Sequence, residues 1–233
     1  MSTIKVMSAG AVESILKELG AEFERASGQR IDLSFNTAGA LRQRFLSGEI
    51  PDLLILPDGS IRELADEGHV RPDSRTPLAQ SVTGVAVPVG AARPDISTAD
   101  ALKRALLAAK AVSYTDPKAG GSSGKFFAGL LERWGIAAEI NAKAVLGKRG
   151  FEVANAVAGG RADLGITFIS EMLPVAGTQI VGPLPEECRN VGTYTAAIPA
   201  HATSPDLGRA LLAAFIDPST RPRWQAAGLE PAF

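Results

Sequence analysis

The stretch YTDPKAGGSSGKFF, residues Tyr114 to Phe127, decides how the chain is read. The apolar run Ala111-Val112-Ser113-Tyr114 enters a turn built on Asp116-Pro117 and passes through Gly120-Gly121-Ser122-Ser123-Gly124. Phe126, Phe127, Leu130 and Leu131 then recur at helical spacing. The order predicts a strand, a glycine-rich loop and a helix N-terminus. Backbone N–H groups without intrahelical partners, the positive end of the helix dipole and two hydroxyls converge at Ser122 and Ser123, the chemistry that holds an anion. Glycine and serine also fill ordinary loops and caps, and on this stretch alone both readings stand.

Upstream, the same unit occurs twice more. Ile4-Lys5-Val6-Met7 leads into Ser8-Ala9-Gly10, and Val12, Ile15, Leu16, Leu19 and Phe23 then mark one helix face that Gly28 closes. Ile31 to Phe35 leads into Asn36-Thr37-Ala38-Gly39 and a helix carrying Leu41 and Phe45. Leu53-Leu54-Ile55-Leu56 is short and wholly apolar, as a buried parallel strand is, and Pro57-Asp58 opens another helix. A longer run covers Val82 to Val89, with a helix from Asp100 to Lys110 after it. Downstream of the glycine loop, Ala144 to Leu146 and Leu164 to Phe168 read as strands and Phe151 to Ala158 as a helix. Thr193 to Ile198 reads as the last strand, before helices around Leu211 and Trp224. Strands alternating with helices predict an α/β fold with mixed, mostly parallel sheets in two Rossmann-like lobes. The expected lobes are 1–82 plus 194–233 and 83–193, joined by two extended crossings, with a ligand cleft between them at the carboxyl ends of strands.

With 45% hydrophobic and 21% charged residues, the composition is that of an ordinary globular protein. A net charge of −1, with no block of like charges, argues against nucleic-acid or anionic-membrane partners, so an anion would be held by local dipoles. One cysteine, Cys188, excludes an internal disulfide, and with only His69 and His201 no metal site is expected. No basic segment followed by an apolar run precedes the first strand. The expected location is periplasmic if a signal peptide has been removed, and cytoplasmic if Met1 is the native start.

Ser8, Thr37, Ser122 and Ser123 occupy equivalent places at expected helix N-termini. Each alone reads as a cap, and together they favour a shared ligand. Arg42, Arg44, Lys125, Lys148 and Arg149 are candidates to pair with carboxylates, Arg149 foremost because it lies in a loop between Gly147 and Gly150. Glu171 directly follows a strand, where it is either a first-turn helix acid or a general base. Tyr114 and Tyr194 either donate hydroxyls or pack in the core. No Gly-x-Ser-x-Gly elbow, nucleotide phosphate loop or His-Glu-x-x-His pattern is present.

VMSAGAVESILKELGAEFERASG, SFNTAGALRQRFLSGEIPDLLIL, AVSYTDPKAGGSSGKFFAGLLERWGI and VANAVAGGRADLGITFISEMLPVAG together resemble the type II periplasmic substrate-binding proteins, nearest the molybdate-binding components of ABC transporters. The resemblance spans nearly the whole chain and implies two lobes that close over a small anion. By motif position Ser8 matches the first ligand serine, Thr37 replaces the second, and GGSSG supplies the third element. Phe151 falls at a backbone contact, and Phe168 stands where the ligand tyrosine would be, a departure that favours a small carboxylate or another oxyanion over molybdate. The resulting candidate ligand set is Ser8, Ala9, Gly10, Thr37, Ala38, Gly39, Gly121, Ser122, Ser123, Arg149, Phe151, Phe168 and Ser170, with no metal and no cofactor. A related branch resembles aconitate isomerase, and there Glu171 or Tyr114 would move the proton. The implied partners are a small anionic ligand and an ABC-transporter permease, with no nucleic acid and no membrane insertion, for a monomer.

Overall fold

The computed structural model describes residues 3–233, so the reading of Met1 lies outside the described residues. The chain divides into two compact units: one holds the chain up to Ser81 together with Gly192–Phe233, the other Val82–Val191. In chain order the elements are β1 (Thr3–Ala9), α1 (Glu13–Ser27), β2 (Arg30–Asn36), α2 (Ala38–Leu46), β3 (Leu53–Pro57), α3 (Asp58–Asp66), β4 (Thr76–Pro88) and α4 (Ala99–Ala108). Then follow β5 (Val112–Thr115), α5 (Ser122–Arg133), α6 (Ala137–Ala142), β6 (Ala144–Gly147), α7 (Gly150–Ala158), β7 (Leu164–Phe168) and α8 (Ile169–Met172). The chain closes with β8 (Thr178–Pro183), β9 (Val191–Ala197), α9 (Pro205–Phe215), α10 (Arg221–Ala226) and β10 (Leu229–Pro231). Among the described residues no helix is long and apolar enough to cross a membrane.

In the first unit β1 lies between β2 and β3 and is parallel to both, with Ser8 beside Phe35 on one side and Ile55 on the other. Leu53 to Leu56 are all fully buried, as their uninterrupted apolar run requires of a strand covered on both faces. β9 pairs antiparallel with β3, and β10 pairs antiparallel with the first part of β4. Met7, Leu41, Phe45, Leu54, Leu56, Ile61 and Leu64 share one apolar core. Asp52, 3% exposed, accepts from the backbone N–H of Lys5 at 2.9 Å and of Ser204 at 2.7 Å, which fixes the start of β3 against β1 and against the entry to α9.

In the second unit β5 is the centre, parallel to β6 and β7, and β4 runs antiparallel to β7 and to β8. Val112, Tyr114, Phe127, Leu130, Leu131, Leu164 and Ile166 form its core. The glycine loop joins β5 to α5 as its sequence predicts. Gly124 and Gly121 are required there: a methyl group built on Gly124 would overlap the Thr115 carbonyl oxygen, and one on Gly121 would lie 2.8 Å from Thr115 Cγ2. α5 therefore starts in direct contact with the end of β5.

Two elements differ from the sequence reading. Thr193 to Ile198 is not the last strand, because β10 follows it; three residues ending in proline are too short to show a period of two. α6 is six residues long and Ala-rich, too short for a helical stripe.

Gly124→Ala is expected to cost about 1–3 kcal/mol, the usual range for overpacking a rigid contact, measured by urea denaturation. Gly59 in α3 has nothing within 4 Å of its added methyl. There Gly→Ala is expected to be neutral or to stabilise by up to about 1 kcal/mol, which controls for the substitution itself.

Candidate functional site

Each unit ends its parallel strands in polar groups at helix starts. In the second unit, Thr115 closes β5, Gly147 closes β6 and Phe168 closes β7. Asp116 donates its N–H to the Gly147 carbonyl at 2.8 Å, and its carboxylate accepts from Lys118 N at 2.9 Å, which shapes the Asp-Pro turn. Gly121 is the N-cap residue of α5, with Ser122 and Ser123 opening its first turn.

Ser122 is half-buried, whereas Ser123 is 4% exposed and belongs to a buried cluster of hydroxyls. Ser123 Oγ lies 3.2 Å from Thr167 Oγ1, and Thr115 Oγ1 lies 3.5 Å from each of them. Thr167 Oγ1 donates to Glu171 Oε2 at 2.8 Å. The Glu171 carboxyl rests against Gly150 at the start of α7, where a Cβ would overlap it. Thr115 and Thr167 escape the sequence reading, because threonine at the end of an apolar run looks like an ordinary strand former. The usable signal is positional: Thr115 precedes the Asp-Pro turn and Thr167 precedes the residue that ends β7.

Arg149 is the N-cap residue of α7, and its guanidinium carbon sits 4.5 Å from the centre of the Phe151 ring. This is cation–π geometry, with the flat guanidinium stacked on an aromatic side chain that is 36% exposed. Glu152 reaches back from the first turn of α7 to accept from Lys148 N at 3.0 Å, which holds the loop before the helix. Phe168 and Ser170 are buried at the β7–α8 junction.

Tyr114 is 3% exposed, its ring packs edge-on to Phe127 with centroids 5.1 Å apart, and its hydroxyl donates to Asn141 Oδ1. Burial first, then the charges of Asp116 and Glu132, push the phenol above its ordinary value. Strand alternation explains the contrast with its neighbour: Tyr114 enters the apolar core, and Thr115 the polar cluster.

In the first unit, Ser8 lies within β1 and not at a helix N-terminus, since α1 begins only at Glu13 after a short turn over Gly10–Val12. It is fully buried, and its hydroxyl donates to the Ala9 carbonyl at 3.2 Å. Ala9 is buried beside it and Gly10 is partly exposed. Thr37 caps α2 by accepting from Ala40 N at 3.3 Å, with Ala38 and Gly39 in the first turn. Arg42 and Arg44 are engaged by carboxylates of their own unit: Glu67 at 3.2 Å for Arg42, and Glu49 at 2.7 Å for Arg44. At the end of β3, Asp58 accepts from Thr195 Oγ1 at 2.9 Å and pairs with Arg62 and Arg75. Burial alone would raise its carboxyl; hydrogen bonds from Arg62 and Thr195, with the charges of Arg62 and Arg75, outweigh that and hold it below its ordinary value.

The family described as bacterial extracellular solute-binding protein matches residues 4–230. An aconitate isomerase from a Pseudomonas species is 30% identical over 237 aligned positions, covering 99% of this chain and 88% of the relative. Among solved structures, the periplasmic molybdate-binding protein of Azotobacter vinelandii superposes with a TM-score of 0.77 at 19% identity, covering 97% of this chain and 98% of that one. The sulfate-binding protein of Mycobacterium tuberculosis H37Rv gives 0.73 at 16% identity, covering 100% and 88%. At these identities the structural likenesses establish the fold.

Tyr114→Phe is expected to cost about 0.5–1.5 kcal/mol for the lost buried hydrogen bond, read by urea denaturation, and to leave anion affinity unchanged. Asp58→Asn is expected to destabilise at neutral pH. Because the folded-state pKa is depressed, the contribution is full above the ordinary carboxylate range and vanishes as pH falls through the folded-state titration. The gap between variant and wild type should therefore close in acid, as followed by melting temperature against pH.

Proposed function

The chain belongs to the bacterial extracellular solute-binding proteins, and from that membership we propose that it captures a small anion, a di- or tricarboxylate in preference to a tetrahedral oxyanion. The observation that carries this is the polar end of the second unit, where α5 and α7 follow the neighbouring parallel strands β5 and β6 and the Arg149 guanidinium lies over the Phe151 ring. The first N–H groups of a helix have no carbonyl within that helix to serve, and they favour negative charge together with the dipole. A planar guanidinium held on an aromatic ring suits a carboxylate, which it can bind through two parallel hydrogen bonds. Gly121, Ser122, Phe151, Phe168 and Ser170 are the proposed contacts beside Arg149 in the second unit, and Ser8, Ala9, Gly10, Thr37, Ala38 and Gly39 are the candidates on the first. In this role the partner is an ABC-transporter permease.

A second reading rests on a separate observation. The 30% identical relative is an aconitate isomerase, and Glu171 brings a carboxylate, hydrogen-bonded by Thr167 at 2.8 Å, into the same polar end. A carboxylate adds nothing to the capture of an anion, but it is a competent base for moving a proton on a carbon next to a carboxyl group. In that reading the same contacts hold a small unsaturated tricarboxylate while Glu171 shifts the proton.

A thermal-shift panel of sulfate, molybdate, citrate, malate and the two aconitate isomers tests capture. Ligand at a hundredfold excess over its Kd should stabilise the fold by about 2.7 kcal/mol, and a midpoint unmoved by every anion would reject the reading. Incubation with cis- or trans-aconitate, followed by proton NMR, separates the two readings: interconversion makes the protein an enzyme, and binding without turnover rejects the isomerase.

A further inference from the structure

The second unit also has a cavity at the opposite end of its parallel strands, where they begin. β5 and β7 start side by side there, with Val112 opposite Leu164. Asp163 ties the two starts together, since its Oδ2 accepts from Lys110 N at 2.6 Å and from Ala111 N at 3.2 Å. Beside this junction lies a space of about 370 Å³ that opens to solvent. Its walls are apolar: Val87 and Pro88 from the end of β4, Pro94 from the loop that follows, Ala105 and Ala108 from α4, and Leu164. Lys110 and Asp163 are the charged residues of the lining. A concave, mostly apolar surface with a few placed polar groups is the form of a small-molecule site, and such sites run from about 300 to 1,000 Å³. β5 has four residues and β7 five, so at about 3.3 Å per residue roughly 13–17 Å of strand separates this cavity from Thr115 and Phe168 at the polar end.

Both charged groups keep bonding capacity. Among the described residues Lys110 Nζ has neither a hydrogen bond nor an ion pair, and Asp163 Oδ1 has no partner, because both backbone N–H groups go to Oδ2. Those two bonds also hold the Asp163 carboxylate in place before anything binds, which lowers the cost of using its second oxygen. A molecule that suits the whole lining carries both signs of charge on a short scaffold and has an apolar body. An apolar carboxylate would meet a like charge at Asp163, and an apolar amine would meet one at Lys110. A small polar zwitterion would leave the apolar walls in water.

We propose that this cavity binds a free α-amino acid with an apolar side chain. Its ammonium group sits on Asp163 Oδ1, its carboxylate on the Lys110 ammonium, and its side chain against Val87, Pro94, Ala105 and Leu164. The site lies wholly within the second unit and is independent of anion capture at the other end of the strands.

Titration of the isotope-labelled full chain with L-leucine and L-phenylalanine, followed by amide NMR spectra, tests it. The signals of Ala108, Lys110, Ala111 and Leu164 are expected to move and to saturate. Isocaproate, which is leucine without its amino group, isoamylamine, which is leucine without its carboxylate, and glycine, which has no side chain, are each expected to bind at least tenfold more weakly, about 1.4 kcal/mol. Lys110→Met, at an exposed position, is expected to weaken leucine fivefold or more without weakening isoamylamine. Ala108→Phe, which fills the cavity, is expected to abolish leucine binding, and Lys110→Met decides the matter where Ala108→Phe shows no folding transition. The inference is overturned by no saturable movement with either amino acid, or by isocaproate, isoamylamine or glycine binding as tightly as leucine. Leucine affinity unchanged in Lys110→Met or in a folded Ala108→Phe would also overturn it, as would movement confined to Thr115, Ser123 and Thr167. None of these outcomes bears on anion capture, which the thermal-shift panel reads separately.

Discussion

The second unit depends on one close approach: the first turn of α5 lies directly on the carbonyl of Thr115, and only glycine at position 124 leaves room for it. That contact sets the height of α5 on the end of β5, and so places Ser123 against Thr115 and Thr167. It also explains why the loop is rich in glycine without any need to invoke a ligand. A helix that starts this close to a strand end carries its first N–H groups to the edge of the sheet, where an anion can reach them. The packing requirement and the proposed binding surface are therefore two results of the same geometry.

Electrostatics in both units follow a common rule despite the near-zero net charge. A carboxylate in the first turn of a helix that directly follows a strand accepts a threonine hydroxyl: Asp58 from Thr195, and Glu171 from Thr167. First-turn acids are favourable with the helix dipole, and this alone accounts for their presence. The surroundings differ. Asp58 is paired with Arg62 and Arg75 and held below its ordinary titration range, so it serves as a fixed structural charge. Glu171 accepts from Thr167, whose hydroxyl neighbours Ser123 in the first turn of α5 and Thr115 at the end of β5.

The fold was legible because its signals are periodic. The apolar runs of β3 and β7 and the helical stripes of α1, α4 and α5 carry enough positions to show their spacing, and Gly28 and Thr98 end or cap helices as their types predict. α6 and β10 were not legible, being shorter than the patterns that would reveal them. In the site, sequence reading reached the residues whose type is unusual for their place, such as serines in a glycine loop and an arginine between two glycines. It missed Thr115 and Thr167, since what distinguishes them is a partner brought by the parallel register of β5 and β7, in which Tyr114 lies opposite Ile166. It set Ser8 one element too late, because β1 runs on through Ala9 before the chain turns.

On the two proposed readings, holding and transforming a carboxylate would use the same groups, which is why family membership does not by itself separate them. A receptor needs donors matched to the ground state of its ligand. An isomerase needs in addition a base whose position improves as the carbon–hydrogen bond breaks. In the isomerase reading Glu171 would answer the second demand, as a base opposite an acidic carbon. That use requires the carboxylate to stay in one place, and the structure supplies two constraints for that, the Thr167 hydrogen bond and the surface of Gly150 that leaves no room for a methyl group. A surface acid that only offsets a helix dipole would need neither constraint, and so the bland account of Glu171 explains its residue type but not its confinement.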